Sequence, residues 1–136
     1  MEWVIDGNNV MGAAGDGWWN DPVGASVRLT QAVAEWARTH TDAVTIVFDG
    51  RPEPRLAELA GGNLAVDFAR RLGRDAADDR IVELVEDRYA CEPSMVVVTS
   101  DRGLAARLPP GVGVEGAGRY RQRIGVRDAR GRRSDR

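Results

Sequence analysis

The chain has 136 residues, an apolar share of 43% and a net charge of −2, which indicate one globular domain with a core of ordinary size. The single cysteine excludes an internal disulfide framework and a cysteine-based zinc site, and the single histidine leaves little basis for histidine-led catalysis or histidine-rich metal ligation. No apolar run approaches the ~20 residues of a membrane span, and no basic-then-apolar leader opens the chain, so we expect a cytoplasmic protein.

Charge is unevenly distributed along the sequence. Residues 119–136 contain eight arginines and two acids, a net charge of +6, which leaves −8 for residues 1–118. We therefore expect a folded domain over 1–118 and a basic, arginine-rich tail over 119–136. The tail is expected to be partly disordered, because from Val126 onward it has too little apolar surface to order itself. An acidic body with a basic arm is typical of a cation site next to a segment that attracts polyanions.

The first predicted element is a short buried strand, Trp3–Ile5, which runs directly into Asp6. Its residue types favour strands, and a continuous apolar run indicates burial on both faces. The Gly7–Asn9 segment suits a turn, and a glycine-rich loop is expected over Met11–Asn20. Asp6 is thereby predicted at the carboxyl end of a central strand, where open α/β sheets bind ligands.

Helices and strands are predicted to alternate through the rest of the chain. In order they are a helix from Pro22 to about Thr39, a strand over Ala43–Phe48, a helical turn over 55–60, an edge strand over Leu64–Phe68, a basic loop over Arg70–Arg74, a helix over about Ala76–Ala90, a strand over Met95–Thr99, a short helix over Arg102–Leu108 and an edge strand over Val112–Glu115. This alternation predicts an α/β fold, a three-layer α/β/α sandwich with a mostly parallel sheet and a central first strand.

Three of the buried strands are followed by an acid, at Asp6, Asp49 and Asp101. The second long helix adds Asp78 and Asp79 near its start, next to the same edge of the sheet. Carboxylates crowded into one cleft persist only if a cation relieves their repulsion or protons are taken up. Ligation by oxygen alone points to Mg²⁺ or Mn²⁺. The same edge carries two neutral polar residues that could hold a water or a phosphate oxygen, Asn8 and Ser100.

Each feature also has a structural interpretation. A single Asp after a strand is often only a turn former, Asp75 and Asp78 fit a helix cap, and Asp79 is then a solvated neighbour. Trp18 and Trp19 could stack on bases or cover the core. The arginine-rich tail could grip phosphates or remain solvated.

Four motifs occur in order: Asp6-Gly7-Asn8-Asn9-Val10, Val47-Phe48-Asp49-Gly50, Ala77-Asp78-Asp79-Arg80-Ile81 and Val98-Thr99-Ser100-Asp101-Arg102. Together they resemble the NYN domains, especially the YacP-like branch of the PIN-like nuclease superfamily, over about residues 3–116. The resemblance implies sheet order 3-2-1-4-5 and an endoribonuclease that depends on Mg²⁺ or Mn²⁺. Such an enzyme cleaves single-stranded RNA with metal-activated water, and residues 1–118 are then its PIN-like NYN nuclease domain.

The resemblance also assigns roles by position. It implies that Asp6, Asp49, Asp78 and Asp101 are the catalytic acids, that Asp6, Asp78 and Asp101 bind metal, and that Asn8 is the polar residue after the first acid. Apart from the resemblance, we expect Asn8, Asp79 and Ser100 to position substrate or water, and Arg119, Arg121 and Arg123 of the basic tail to bind RNA. Either member of the Asp78-Asp79 pair could face the metal. RNA is the expected partner, while its presentation by a ribosome or another RNA-processing complex, and the oligomeric state, stay open.

Two other functions compete with this interpretation. A PIN-like RNA-binding module without catalysis would use the same fold. A phosphoacceptor domain or a haloacid-dehalogenase-type phosphatase would also use an acid pocket. Both of the latter usually place a lysine near the phosphoryl group, and this chain has no lysine. The phosphatases also require a second Asp two residues after the first, and this chain has Asn8 at that position.

Overall fold

The computed structural model describes residues 1–15, 17–70, 73, 75–91 and 94–125. The strands in this part of the chain are β1 (Glu2–Asp6), β2 (Ala43–Phe48), β3 (Leu64–Phe68), β4 (Met95–Val98) and β5 (Gly113–Glu115). The helices are α1 (Gly7–Gly12), α2 (Pro22–Ala37), α3 (Pro54–Ala57), α4 (Ala76–Tyr89), α5 (Arg102–Ala106) and α6 (Ala117–Arg123), with a 3₁₀ turn at Trp18–Asn20. None of these helices is long and apolar enough to cross a membrane.

The strands form one sheet in the order β3-β2-β1-β4-β5, and every neighbouring pair is parallel. This order confirms the fold expected from the sequence. Side chains alternate along β1, so Trp3 and Ile5 pack on one face against α1, α2 and α6. Val4 packs on the other face with the apolar sides of α4 and α5. The carboxyl ends of β1, β2 and β4 consequently lie side by side.

The segment after β1 differs from the prediction. A turn and a long loop were expected there, but α1 begins directly after Asp6, whose carboxylate caps it by accepting the Asn9 N–H at 3.3 Å. Gly7 does not adopt a left-handed conformation. A Cβ at that position would lie 2.6 Å from the Phe48 ring, so glycine is required for the close approach of α1 to β2.

Helix α6 was not predicted, and it crosses the boundary expected between residues 118 and 119. Ala117 and Tyr120 are buried in the core, and the Tyr120 ring packs against Trp36 with centroids 5.3 Å apart. The chain therefore stays folded onto the sheet beyond residue 118. The tail from residue 126 to residue 136, for which disorder was expected, lies outside the described residues.

Candidate functional site at the carboxyl edge of the sheet

Asp6 is a buried carboxylate at the end of the central strand, with 4% of its surface exposed. One carboxylate oxygen accepts the Asn9 N–H, and the other accepts the Thr99 hydroxyl at 3.0 Å. Burial is the largest cause that raises the pKa of Asp6, both hydrogen bonds lower it and the charges of Asp78 and Asp101 raise it, and the net result is a pKa of about 6. The side chain is therefore fixed in place while its charge is poorly solvated.

Asp78 and Asp101 lie close enough to interact with each other and with Asp6 through their charges. Asp101 caps α5 by accepting the N–H groups of Gly103 and Leu104 at 2.8 and 3.1 Å. Asp78 lies in the first turn of α4, and its pKa is raised by burial and then by the charge of Asp101. The structure thus brings these three predicted acids into one negatively charged group, here called the acid cluster (Asp6, Asp78 and Asp101).

The two adjacent acids of α4 have different partners. Asp79 forms an ion pair with Arg107 at 2.8 Å, at the end of α5. The charge of Arg107 lowers the pKa of Asp78, but more weakly than burial and the charge of Asp101 raise it. Asp78 thus interacts through its charge with Asp6 and Asp101, and the ion pair of Asp79 joins α4 to the end of α5.

Two consecutive asparagines hold the ends of the neighbouring strands. The Asn8 side-chain oxygen accepts the Asp49 N–H at 2.8 Å, next to the end of β2. The Asn9 side-chain oxygen accepts the Ser100 N–H at 2.7 Å, just beyond β4. Because β1 lies between β2 and β4, this pair fixes both flanking loops relative to Asp6. Sequence reasoning assigned no role to Asn9, although its position after the first acid was visible.

The segment that follows β4 supplies a second residue that the sequence analysis missed. The Thr99 hydroxyl donates to Asp6 and accepts the Asp101 N–H at 3.1 Å, so one side chain joins two members of the acid cluster. The neighbouring Ser100 hydroxyl accepts the Ala117 N–H at 2.8 Å, which holds the start of α6. Ser100 accordingly has a structural contact besides any contact with water or substrate.

Asp49 follows the end of β2, at the same edge of the sheet. Its side chain is exposed, and it lines a cavity of about 360 Å³ that it shares with Asn8. The catalytic role expected for Asp49 stays a prediction.

The three arginines expected to contact RNA differ in their surroundings. Arg119 is exposed on α6. Arg123 forms a two-pronged ion pair with Glu115 at 2.8 and 2.6 Å and lies 5.2 Å from the centre of the Trp3 ring. Arg121 is only 7% exposed and donates to the Val10 carbonyl oxygen. The Arg121 guanidinium therefore contacts the protein interior, and its burial argues against the RNA contact expected from the sequence.

The chemistry of the acid cluster fits a hydrated divalent cation. Within the described part of the chain, no group of three or more His, Cys, Asp or Glu side chains has a geometry that could hold an ion directly. The charges of Asp78 and Asp101 nevertheless raise the pKa of Asp6, and the charge of Asp101 raises the pKa of Asp78. Mg²⁺ usually keeps several waters and takes only one or two protein carboxylates, so it does not require three converging side chains. Asp6, Asp78 and Asp101 are the residues that would hold it.

Comparisons with known proteins agree with this architecture. The family profile described as the YacP-like NYN domain matches residues 3–108. A crystal structure of Rae1 (YacP) from Bacillus subtilis is 21% identical to this chain, with a TM-score of 0.69, and the match covers 91% of this chain and 73% of that one. A point variant of the same protein gives 22% identity, a TM-score of 0.68 and coverages of 91% and 75%. No curated protein matches the chain.

Proposed function

Because the chain belongs to the family of YacP-like NYN domains, we propose that it is a PIN-like ribonuclease that cleaves single-stranded RNA endonucleolytically and depends on Mg²⁺ or Mn²⁺. The observation that supports this function best is the acid cluster. Three carboxylates from β1, α4 and the loop after β4 interact through their charges at the ligand-binding edge of a parallel sheet. Clustered carboxylates of which two, Asp6 and Asp78, have raised pKa values are typical of functional sites.

Each residue around the cluster has a role that follows from its contacts. Thr99 and the Asn9 N–H orient the two oxygens of Asp6, and Asp101 is oriented by the start of α5. Asn8 is anchored through its oxygen, which leaves its amide group to donate to a phosphate or water oxygen. A divalent ion bound by the cluster would neutralise the carboxylates and stabilise the charge that develops on a phosphate during in-line displacement.

Labelled single-stranded RNA, incubated with and without Mn²⁺, tests this function. Wild-type protein should cleave only with Mn²⁺, and Asp6→Asn should be at least about a hundredfold slower, since an ion-stabilised transition state gains several kcal/mol. Asp87→Asn removes an exposed carboxylate from α4, the helix that also carries Asp78, and should cleave like wild type.

Equal cleavage by wild type and Asp6→Asn would contradict the mechanism. RNA retention without cleavage by any of the proteins, even with Mn²⁺, would favour the PIN-like RNA-binding module instead.

A further inference from the structure

A cavity of about 360 Å³ opens at the same edge of the sheet as the acid cluster. It lies between the start of α2 and the ends of β2 and β3. Its aromatic lining comes from Trp18, Phe48 and Phe68, and its polar lining includes Asn8, Asp49 and Arg51. Small-molecule sites combine an apolar lining with a few polar groups and have volumes from about 300 Å³ upward. The cavity thus has the size and composition of a site for one small ligand.

The apolar lining is suited to a flat ring. Phe48 and Phe68 are buried, whereas Trp18 is half-buried and follows Gly17, which has a left-handed φ of 82°. Aromatic side chains stack on nucleobases, and every base presents a π-face, so such binding tolerates different sequences. Trp19 contacts Trp18 edge to face at 6.2 Å, but it is 60% exposed and does not line the cavity.

The polar lining relates the cavity to the proposed reaction. Asn8 follows Asp6 by two residues and accepts the Asp49 N–H, so the cavity wall and the acid cluster share one segment of backbone. The exposed Asp49 carboxylate can accept an N–H from the pairing edge of a base. The exposed Arg51 offers a positive charge to the phosphate of the same nucleotide.

We propose that this cavity, the base pocket, receives one unstacked nucleobase of the RNA that the acid cluster cleaves. The proposal rests on the proposed function, because it takes RNA as the substrate. It assigns Trp18 to stacking and gives Asp49 a role in binding the base. The base pocket would place a nucleotide next to the scissile phosphate and so select single strands, whose bases are free to leave the stack.

Nuclear magnetic resonance of the indole N–H groups tests the pocket without metal or cleavage. AMP and ribose 5-phosphate are added separately to the full chain in EDTA, and the four indole signals are assigned with single Trp→Phe variants. AMP should shift the Trp18 signal, while ribose 5-phosphate, which has no base, should leave it in place. Equal shifts with both compounds, or a shift confined to Trp19, would overturn the proposal.

Affinity for labelled single-stranded hexaadenylate, measured by fluorescence anisotropy in EDTA, gives a second test. Trp18→Ala should bind about tenfold more weakly, in line with the loss of one stacked base. Trp19→Ala, the matched control, should bind like wild type. Val23→Phe keeps Trp18 and fills the pocket from α2, so it should weaken binding even if Trp18→Ala does not fold. Equal losses for the two alanine variants, or full affinity for Val23→Phe, would overturn the proposal.

Cleavage by the same variants separates this inference from the proposed function. If wild type cleaves RNA with Mn²⁺ and Trp18→Ala and Val23→Phe cleave it at the same rate and with the same KM, the base pocket is wrong and the ribonuclease stands. If AMP shifts the Trp18 signal but the wild-type protein does not cleave RNA with Mn²⁺, the ribonuclease is wrong and the pocket stands.

Discussion

At the residue scale, Asp6 makes the stability of the fold depend on pH. Its pKa is about 6 in the folded protein and 3.8 in its ordinary environment. The folded state thus binds the Asp6 proton more tightly than the unfolded state does. Protonation of Asp6 therefore stabilises the fold, and this contribution to the free energy of unfolding is fully present below pH 3.8. It is lost as the pH rises through 6, and the whole change corresponds to about 3 kcal/mol.

Asp6→Asn should remove this part of the pH dependence. Urea denaturation in EDTA at pH 4 and pH 7.5 is the measurement. Between these values the free energy of unfolding of wild type should fall by up to about 3 kcal/mol more than that of Asp6→Asn. Asp87→Asn, which removes an exposed carboxylate, should follow wild type. Parallel pH profiles of the free energy of unfolding for wild type and Asp6→Asn would show that the fold does not destabilise the charged form of Asp6.

Thr99 belongs to the same scale, because its hydroxyl donates to Asp6 and accepts from the Asp101 N–H. Thr99→Val keeps the shape but leaves both partners unsatisfied, so we expect a loss of about 2 kcal/mol of stability. The pKa of Asp6 should also rise further, since this hydrogen bond lowers it. Thr99→Ser keeps the hydroxyl and should lose only about 1 kcal/mol for the missing methyl group. Equal stabilities of the two variants, measured by urea denaturation, would contradict the role of the hydroxyl.

At the element scale, the contact between α1 and β2 depends on Gly7. A Cβ there would lie 2.6 Å from the Phe48 ring, so Gly7→Ala forces the helix or the ring to move. We expect a cost of about 1–3 kcal/mol in the free energy of unfolding. Gly118→Ala on α6 is the control, because its Cβ would meet no atom within 4 Å, and it should gain up to about 1 kcal/mol. A Gly7→Ala protein as stable as wild type would contradict the close approach.

Helices and strands that have a clear local sequence pattern could be predicted. The apolar strands before Asp6, Asp49 and Asp101 lie where the sequence put them, and so does helix α2, because Asp21 accepts the Gly24 N–H at 3.1 Å as a helix cap. Helix α6 was missed although Ala117 and Tyr120 have helical spacing. The arginines between and after them made the segment look like a solvated tail.

The sequence indicates which acids are candidates for the site, but it does not indicate how their side chains are arranged. Asp78 and Asp79 are adjacent on α4, so the rotation of the helix against the sheet decides which one interacts with the acid cluster. The ion pair between Asp79 and Arg107 is a contact between residues distant in sequence, which no local pattern indicates. For the same reason the sequence did not place Asp49 beside Trp18 in the base pocket.

At the scale of the whole molecule, the sequence predicts different roles for two segments. The acidic domain is expected to bind the cation, and the basic segment that follows it is expected to attract RNA. Residues 126–136 contain five arginines and two acids. Deleting them should weaken binding to single-stranded RNA and reduce the magnitude of the slope of log K against log salt by up to about 3.5, because each phosphate contact contributes about 0.7. Salt titrations of anisotropy, with and without the deletion, measure this slope. An unchanged slope would show that the basic end does not contact phosphates.

The deleted residues include none of the three members of the acid cluster. We therefore expect the shortened protein to keep Mn²⁺-dependent cleavage at saturating RNA. A loss of cleavage under those conditions would assign the basic end to the reaction itself rather than to RNA binding.

The central claim is that Asp6, Asp78 and Asp101 bind a divalent ion. A crystal of the full chain grown with Mn²⁺, with anomalous diffraction collected at the manganese edge, tests this claim most directly. We predict an anomalous peak at the acid cluster in wild type and no peak there in Asp6→Asn. A manganese peak at Asp49 with none at the acid cluster, or equal peaks in wild type and Asp6→Asn, would contradict it.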